Sequence, residues 1–98
     1  MPRRHYLITY DISDDRRRNE VFRTLRDHGD HAQYSVFFCE LSKTELITLR
    51  SSLVITIHQS EDQVIILDLG TSTSPLERGL ECLGKPFGPT PNGRVLVV

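Results

Sequence analysis

Residues 6–12 read Tyr-Leu-Ile-Thr-Tyr-Asp-Ile, and residues 13–18 read Ser-Asp-Asp-Arg-Arg-Arg. This junction constrains the fold more than any other stretch of the chain. The first part has the β-branched and aromatic content of a strand, with Tyr6, Ile8, Tyr10 and Ile12 on one face and Leu7, Thr9 and Asp11 on the other. The second part supplies N-cap residues and acids at a helix start, where the helix dipole favours them. A strand must therefore turn directly into a helix. Asp11 is out of place in it. A carboxylate in an apolar strand faces water, pairs with a cation or binds a metal, because an unpaired buried charge is too costly.

The rest of the chain continues this alternation. The first strand is expected over residues 4–12 and the first helix over 15–28, with Val21, Phe22 and Leu25 as its apolar stripe and Gly29 as its C′ stop. Residues 33–41 read as one strand, apolar on both faces and therefore covered on both sides. Tyr34, Val36 and Phe38 share one of its faces. Ser42-Lys43-Thr44-Glu45 is a capping box that opens a second helix ending near Ile57. Residues 63–69 form a third strong strand. Residues 80–87 are a weak strand and residues 94–98 a short apolar one. Helices interleaved with strands in this order predict an α+β, ferredoxin-like β-α-β-β-α-β-type sandwich with an extra C-terminal strand. It is a single domain over residues 1–98, with its core at about 4–70. Both helices pack on one sheet face. The other face is apolar and calls for a cover, most simply a second copy of the chain.

Composition limits the function classes. With 98 residues, 38% hydrophobic and 26% charged, the chain has room for one core. No apolar run approaches the roughly 20 residues of a membrane helix, and no signal-peptide pattern is present, so no membrane association and a cytoplasmic location are expected. Cys39 and Cys82 lack paired CxxC spacing and read as reduced thiols. The net charge of −1 does not advertise nucleic-acid binding. However, residues 1–34 hold seven of the twelve arginines and lysines against six acids, and a dimer can concentrate that bias on one face.

Tyr10-Asp11-Ile12, Asp14-Asp15, Arg17-Arg18, Gly29 and Gln33-Tyr34-Ser35-Val36-Phe37 together resemble the CRISPR-associated protein 2 family over residues 6–41. The resemblance implies a symmetric homodimer with its sheets face to face. In that dimer the C-terminal segment, about residues 80–98, crosses to the partner, and Asp11 lies opposite its copy. It also implies a role in CRISPR spacer acquisition beside the CRISPR-associated protein 1 integrase. The expected nucleic-acid partners are double-stranded DNA or single-stranded RNA, cut by a magnesium-dependent endonuclease. Two positions depart from the family pattern. His31 stands where arginine is common, which makes a phosphate contact there weaker or pH-dependent. Phe38 stands where glutamate often follows.

Asp11 is the candidate catalytic residue and ligand for Mg2+ or Mn2+, since magnesium commonly takes one or two protein carboxylates together with phosphate oxygens. The competing reading has Asp11 capping the next helix or pairing with Arg17 or Arg18. Arg16, Arg17, Arg18 and His31 are the candidate nucleic-acid contacts, because arginine forks match phosphate oxygens. Arg16 can instead pair with Glu20 on a solvated helix face. Tyr10, Ser35 and Phe37 are supporting residues, with Phe37 also readable as core or dimer packing. His5 and His28 have no partner at motif spacing. Two main function classes follow: a metal-dependent phosphodiesterase, and a non-catalytic adaptor that grips duplex backbone and bridges integrase dimers. An unrelated small-ligand regulator with the same fold is the third.

Overall fold

Strand β1 (Arg4–Asp11) lies inside a four-stranded sheet, hydrogen-bonded on both edges. The computed structural model describes residues 3–71 together with Glu81, Leu83 and Gly84. After β1 come α1 (Asp15–Arg26), β2 (Asp30–Gln33), β3 (Val36–Leu41), α2 (Lys43–Thr56) and β4 (Gln63–Thr71). The sheet order is β2-β3-β1-β4, and every neighbouring pair is antiparallel. This is the ferredoxin-like β-α-β-β-α-β arrangement.

One expected element is corrected. Residues 33–41 are not one strand but the last residue of β2, a turn, and β3, which together with the rest of β2 form a hairpin. Tyr34 and Ser35 are its two-residue turn. No described non-glycine residue adopts positive φ, so this turn has none of the glycine or asparagine signature of type I′ hairpins. Its residues have strand propensity, but Tyr34 is 95% exposed and shares no face with Val36 and Phe38. The hairpin supplies the fourth strand, so the sheet is complete within the described residues. The expected strands at 80–87 and 94–98 lie outside those residues, except for Glu81, Leu83 and Gly84, none of which is in a strand.

The period-two reading of β1 holds. Tyr6, Ile8 and Tyr10 are buried, and with Ile12 they join Val21 and Leu25 of α1, Phe37, Cys39 and Leu41 of β3, and Leu49 and Leu53 of α2 in one core. Phe37, Ile8, Leu25, Leu49, Val21 and Cys39 are fully buried, each stabilising the fold by about 1.5–3 kcal/mol for the larger side chains. Burial pushes the Cys39 thiol up to about 12, so it is an inert core group. The capping box forms as expected, with Ser42 N–H donating to Glu45 Oε1 at 2.8 Å and Glu45 N–H to Ser42 Oγ at 3.2 Å. The first helix stops two residues earlier than expected, with Asp27 as its C-cap in right-handed conformation. Gly29 therefore has a different role. A Cβ there would lie 2.5 Å from both Cys39 Sγ and the Phe38 carbonyl oxygen, so glycine lets the chain pass close over β3.

The second sheet face carries Leu7, Thr9 and Asp11 of β1, opposite Leu67, Ile65 and Gln63 of β4. Val36 and Phe38 of β3 continue it. Neither helix packs on this face, and Ile65 and Leu67 are 51% and 52% exposed.

Candidate functional site

Asp11 ends β1 on the face away from the helices, and its side chain is exposed. It makes no hydrogen bond or ion pair among the described residues. The helix-cap role belongs to Asp14, whose Oδ2 accepts from the Arg17 N–H at 2.9 Å. That bond holds the Asp14 carboxyl below its ordinary pKa. The expected alternatives for Asp11, a cap or an arginine partner, are thus filled by other groups.

The three consecutive arginines part company. Arg16 is exposed and has no salt bridge among the described residues, and the expected pair with Glu20 does not form. Arg17 turns towards the start of β4. Its Nε donates to Asp62 Oδ2 at 2.7 Å, and its Nη2 donates to Asp62 Oδ1 and Glu61 Oε1, both at 3.3 Å. The Asp62 side chain has no exposed surface. It also accepts from the backbone N–H of Ser13 at 3.2 Å and of His58 at 2.8 Å. Arg17, followed by these N–H donors, holds the Asp62 carboxyl well below the usual carboxylate range. Arg17 and Asp62 therefore form a clamp that ties the β1–α1 turn to the α2–β4 turn.

Arg18 turns the other way. Its Nη1 donates to the Ile12 carbonyl at 3.0 Å and its Nη2 pairs with Asp15. These bonds use two of the five guanidinium donors and leave the side chain 43% exposed. Arg18 borders a groove of about 450 Å3 shared with Tyr10, Asp11, Ile12, Asn19, Phe22, Tyr34 and Ser35. Its positive charge partly offsets the burial that raises the Tyr10 phenol.

The supporting residues divide similarly. Tyr10 lines the groove, and its Oη donates to the Tyr34 carbonyl at 3.2 Å. Ser35 lines it too, but its tie to β1 is through the backbone: the Tyr10 N–H donates to the Ser35 carbonyl at 3.1 Å. Phe37 is fully buried on the helix side, against Tyr10, Phe22 and His31, so it is core and faces neither solvent nor the open sheet face. His31 is half-buried, with its ring edge-on to Phe22 at 5.0 Å. Its Nε2 lies 3.1 Å from the Tyr34 carbonyl. A carbonyl only accepts, so the proton of this bond sits on Nε2. Asn19 and Tyr34 are the exposed groove residues that sequence reading missed as site candidates; Ile12 and Phe22, also on the groove, read as apolar packing. The signal for Tyr34 was hidden because it reads as a strand residue.

Among the described residues no three histidines, cysteines or acids converge on a common point. Asp11 is the carboxylate on the groove and has no partner among the described residues, which suits a hard cation that fills its remaining positions with water and phosphate oxygens.

A model of the CRISPR associated protein Cas2 family matches residues 4–74. The chain belongs to the Cas2 family. It is 38% identical over 82 residues to CRISPR-associated endoribonuclease Cas2 1 of Rhodospirillum rubrum, covering 84% of this chain and 79% of that one. It is 33% identical over 92 residues to CRISPR-associated endoribonuclease Cas2 of Geobacter sulfurreducens, covering 94% and 96%. The crystal structure of Streptococcus pyogenes Cas2 superposes with a TM-score of 0.64 at 27% identity, over 67% of this chain and 86% of that one. A hypothetical protein from Thermus thermophilus superposes at 0.68 with 32% identity, over 69% and 83%. The Cas2 match encloses the β1–α1 turn, the hairpin and the groove between them. No described helix is long and apolar enough to cross a membrane.

Proposed function

We propose that this Cas2-family chain works as a homodimer that binds nucleic acid and hydrolyses phosphodiester bonds with a divalent ion held by Asp11 of both chains. The observation that carries this reading is Asp11 itself, a strand-end carboxylate on the open apolar sheet face, exposed and without a partner among the described residues. Relatives named endoribonucleases support the reaction class. Packing two such sheets face to face covers Leu7, Ile65 and Leu67 and brings the two Asp11 side chains to one interface. Mg2+ or Mn2+, when bound, would polarise the phosphoryl group and acidify a bound water. Asp11 orients its carboxylate from a fixed strand end. Arg18 aligns a phosphate with its remaining donors, and Arg16 adds an exposed charge at the helix start. His31 takes no direct part. It braces the hairpin through the Tyr34 carbonyl.

The second reading is a non-catalytic adaptor that grips duplex DNA and bridges CRISPR-associated protein 1 integrase dimers during spacer acquisition in the cytoplasm. It is favoured by the lack of any converging group of three acids, histidines or cysteines among the described residues, and by Arg16, Arg23 and Arg26, exposed along α1 for contacts to backbone phosphate. Cleavage assays with purified protein and Mg2+ separate the two readings. The nuclease reading expects cutting of RNA or duplex DNA that Asp11→Ala abolishes with the dimer intact. Equal cutting by the variant, or none by either protein alongside salt-dependent duplex binding, leaves the adaptor.

A further inference from the structure

We infer that Tyr34 is a stacking platform for an unpaired nucleobase, seated in the groove that also holds Asp11 and Arg18. The inference rests on the nucleic-acid reading above and names the form of nucleic acid that this groove takes. Tyr34 has two unlike halves. Its carbonyl is held from both sides, by Tyr10 Oη at 3.2 Å and His31 Nε2 at 3.1 Å. Its side chain is 95% exposed at the tip of the β2–β3 hairpin. The backbone is fixed by two side chains from different strands, while the ring is turned away from the core that takes the nearby Phe37. An isolated exposed aromatic is ordinary. This one borders a groove of about 450 Å3 whose other walls are Asp11, Arg18, Asn19, Ser35 and the edge of the Phe22 cluster.

That lining suits one nucleotide. The aromatic ring offers a face to a base, Arg18 offers donors to a phosphate, and Asn19 and Ser35 offer polar groups to a sugar or base edge. Bases stack on exposed aromatic rings with little regard to sequence, because each base has a π-face. A base inside a duplex has both faces covered and cannot use the ring. The groove therefore favours a single strand, or a nucleotide turned out of a duplex, and places its phosphate on the side of Asp11 and Arg18. A rigid turn carrying the ring lowers the ordering cost of the contact.

Binding is measured in a metal chelator, so no cleavage occurs. The probes are a short oligouridylate and the same strand with one central abasic site, each with wild type, Tyr34→Phe and Tyr34→Ala. The abasic site weakens wild type and Tyr34→Phe by about tenfold (stacking on one base falls in this range). Tyr34→Ala binds the intact strand about tenfold less well than wild type and loses nothing further at the abasic site. The chain has no tryptophan, so Tyr34→Trp introduces a single fluorophore. Its emission is quenched by the single strand and unchanged by a blunt duplex of equal length. Discrimination by Tyr34→Ala equal to that of wild type, or an indole that responds alike to single strand and duplex, overturns the inference. These readouts need neither metal nor turnover. A failed platform with Asp11-dependent cleavage intact refutes the platform alone. A working platform with cleavage indifferent to Asp11 refutes the nuclease reading alone.

Discussion

Arg17 and Arg18 are neighbours of identical chemistry on the first turn of one helix, yet they belong to different parts of the molecule. Arg17 meets a carboxylate with no exposed surface and joins two loops. Arg18 keeps donors free on a groove whose carboxylate, Asp11, has no partner among the described residues. Asp62 and Asp11 differ in the same way. Asp62 accepts from Arg17 and from two backbone N–H groups, whereas the Asp11 side chain accepts from no described residue. Charge density along a sequence therefore does not locate a binding surface. What locates it is the set of charges left over after the fold has satisfied its own. Little more than a quarter of a helical turn, about 100° per residue, separates the two outcomes.

Several substitutions can break or sharpen that contrast. Phe37→Ala opens the core and costs about 3–5 kcal/mol in denaturant unfolding, like other large-to-small changes at fully buried aromatics. A variant of wild-type stability with weakened nucleic-acid binding would return Phe37 to the site. Asp62→Asn removes the buried charge partner of Arg17 and leaves it only the exposed Glu61. Its thermal midpoint falls by several degrees, while oligonucleotide affinity, measured below that midpoint, stays near wild type. The pH dependence has a definite sign. The folded-state pKa of Asp62 is depressed, so its stabilisation is full above the ordinary value of 3.8 and is lost as pH falls towards the depressed one. Urea unfolding between neutral pH and the acid limb should show this loss in wild type and a shallower one in Asp62→Asn. Arg18→Gln has the smallest effect. Its midpoint holds, and the slope of log affinity against log salt falls by about 1 for each chain that contacts the strand. If Arg17→Gln lowers the salt slope and Arg18→Gln lowers the midpoint, the division between the two arginines is reversed.

Much of the architecture was legible because it is written in local patterns. The alternation in β1, the Asp14-Asp15 helix start and the Ser42/Glu45 capping box each involve residues within a few positions, and each forms as read. The hairpin was not legible. Tyr34 and Ser35 carry strand propensity and no turn signature, and the bend is held by contacts from Tyr10, 24 residues away. The arginine division was hidden for the same reason. Arg17 and Asp62 are 45 residues apart, and nothing in either neighbourhood pairs them. Asp11 was found early because an acid in an apolar strand is a local anomaly. Tyr34 was missed because its peculiarity, an exposed ring on a pinned carbonyl, exists only once the hairpin closes.

Asp11, free of partners among the described residues, is the carboxylate proposed to hold a divalent ion. Electron paramagnetic resonance of Mn2+, titrated into the protein bound to a non-cleavable phosphorothioate oligonucleotide, tests this role most directly. One tightly bound ion per two chains is expected in wild type and none in Asp11→Asn, with both proteins showing the same thermal midpoint. Equal Mn2+ binding by wild type and Asp11→Asn would contradict it.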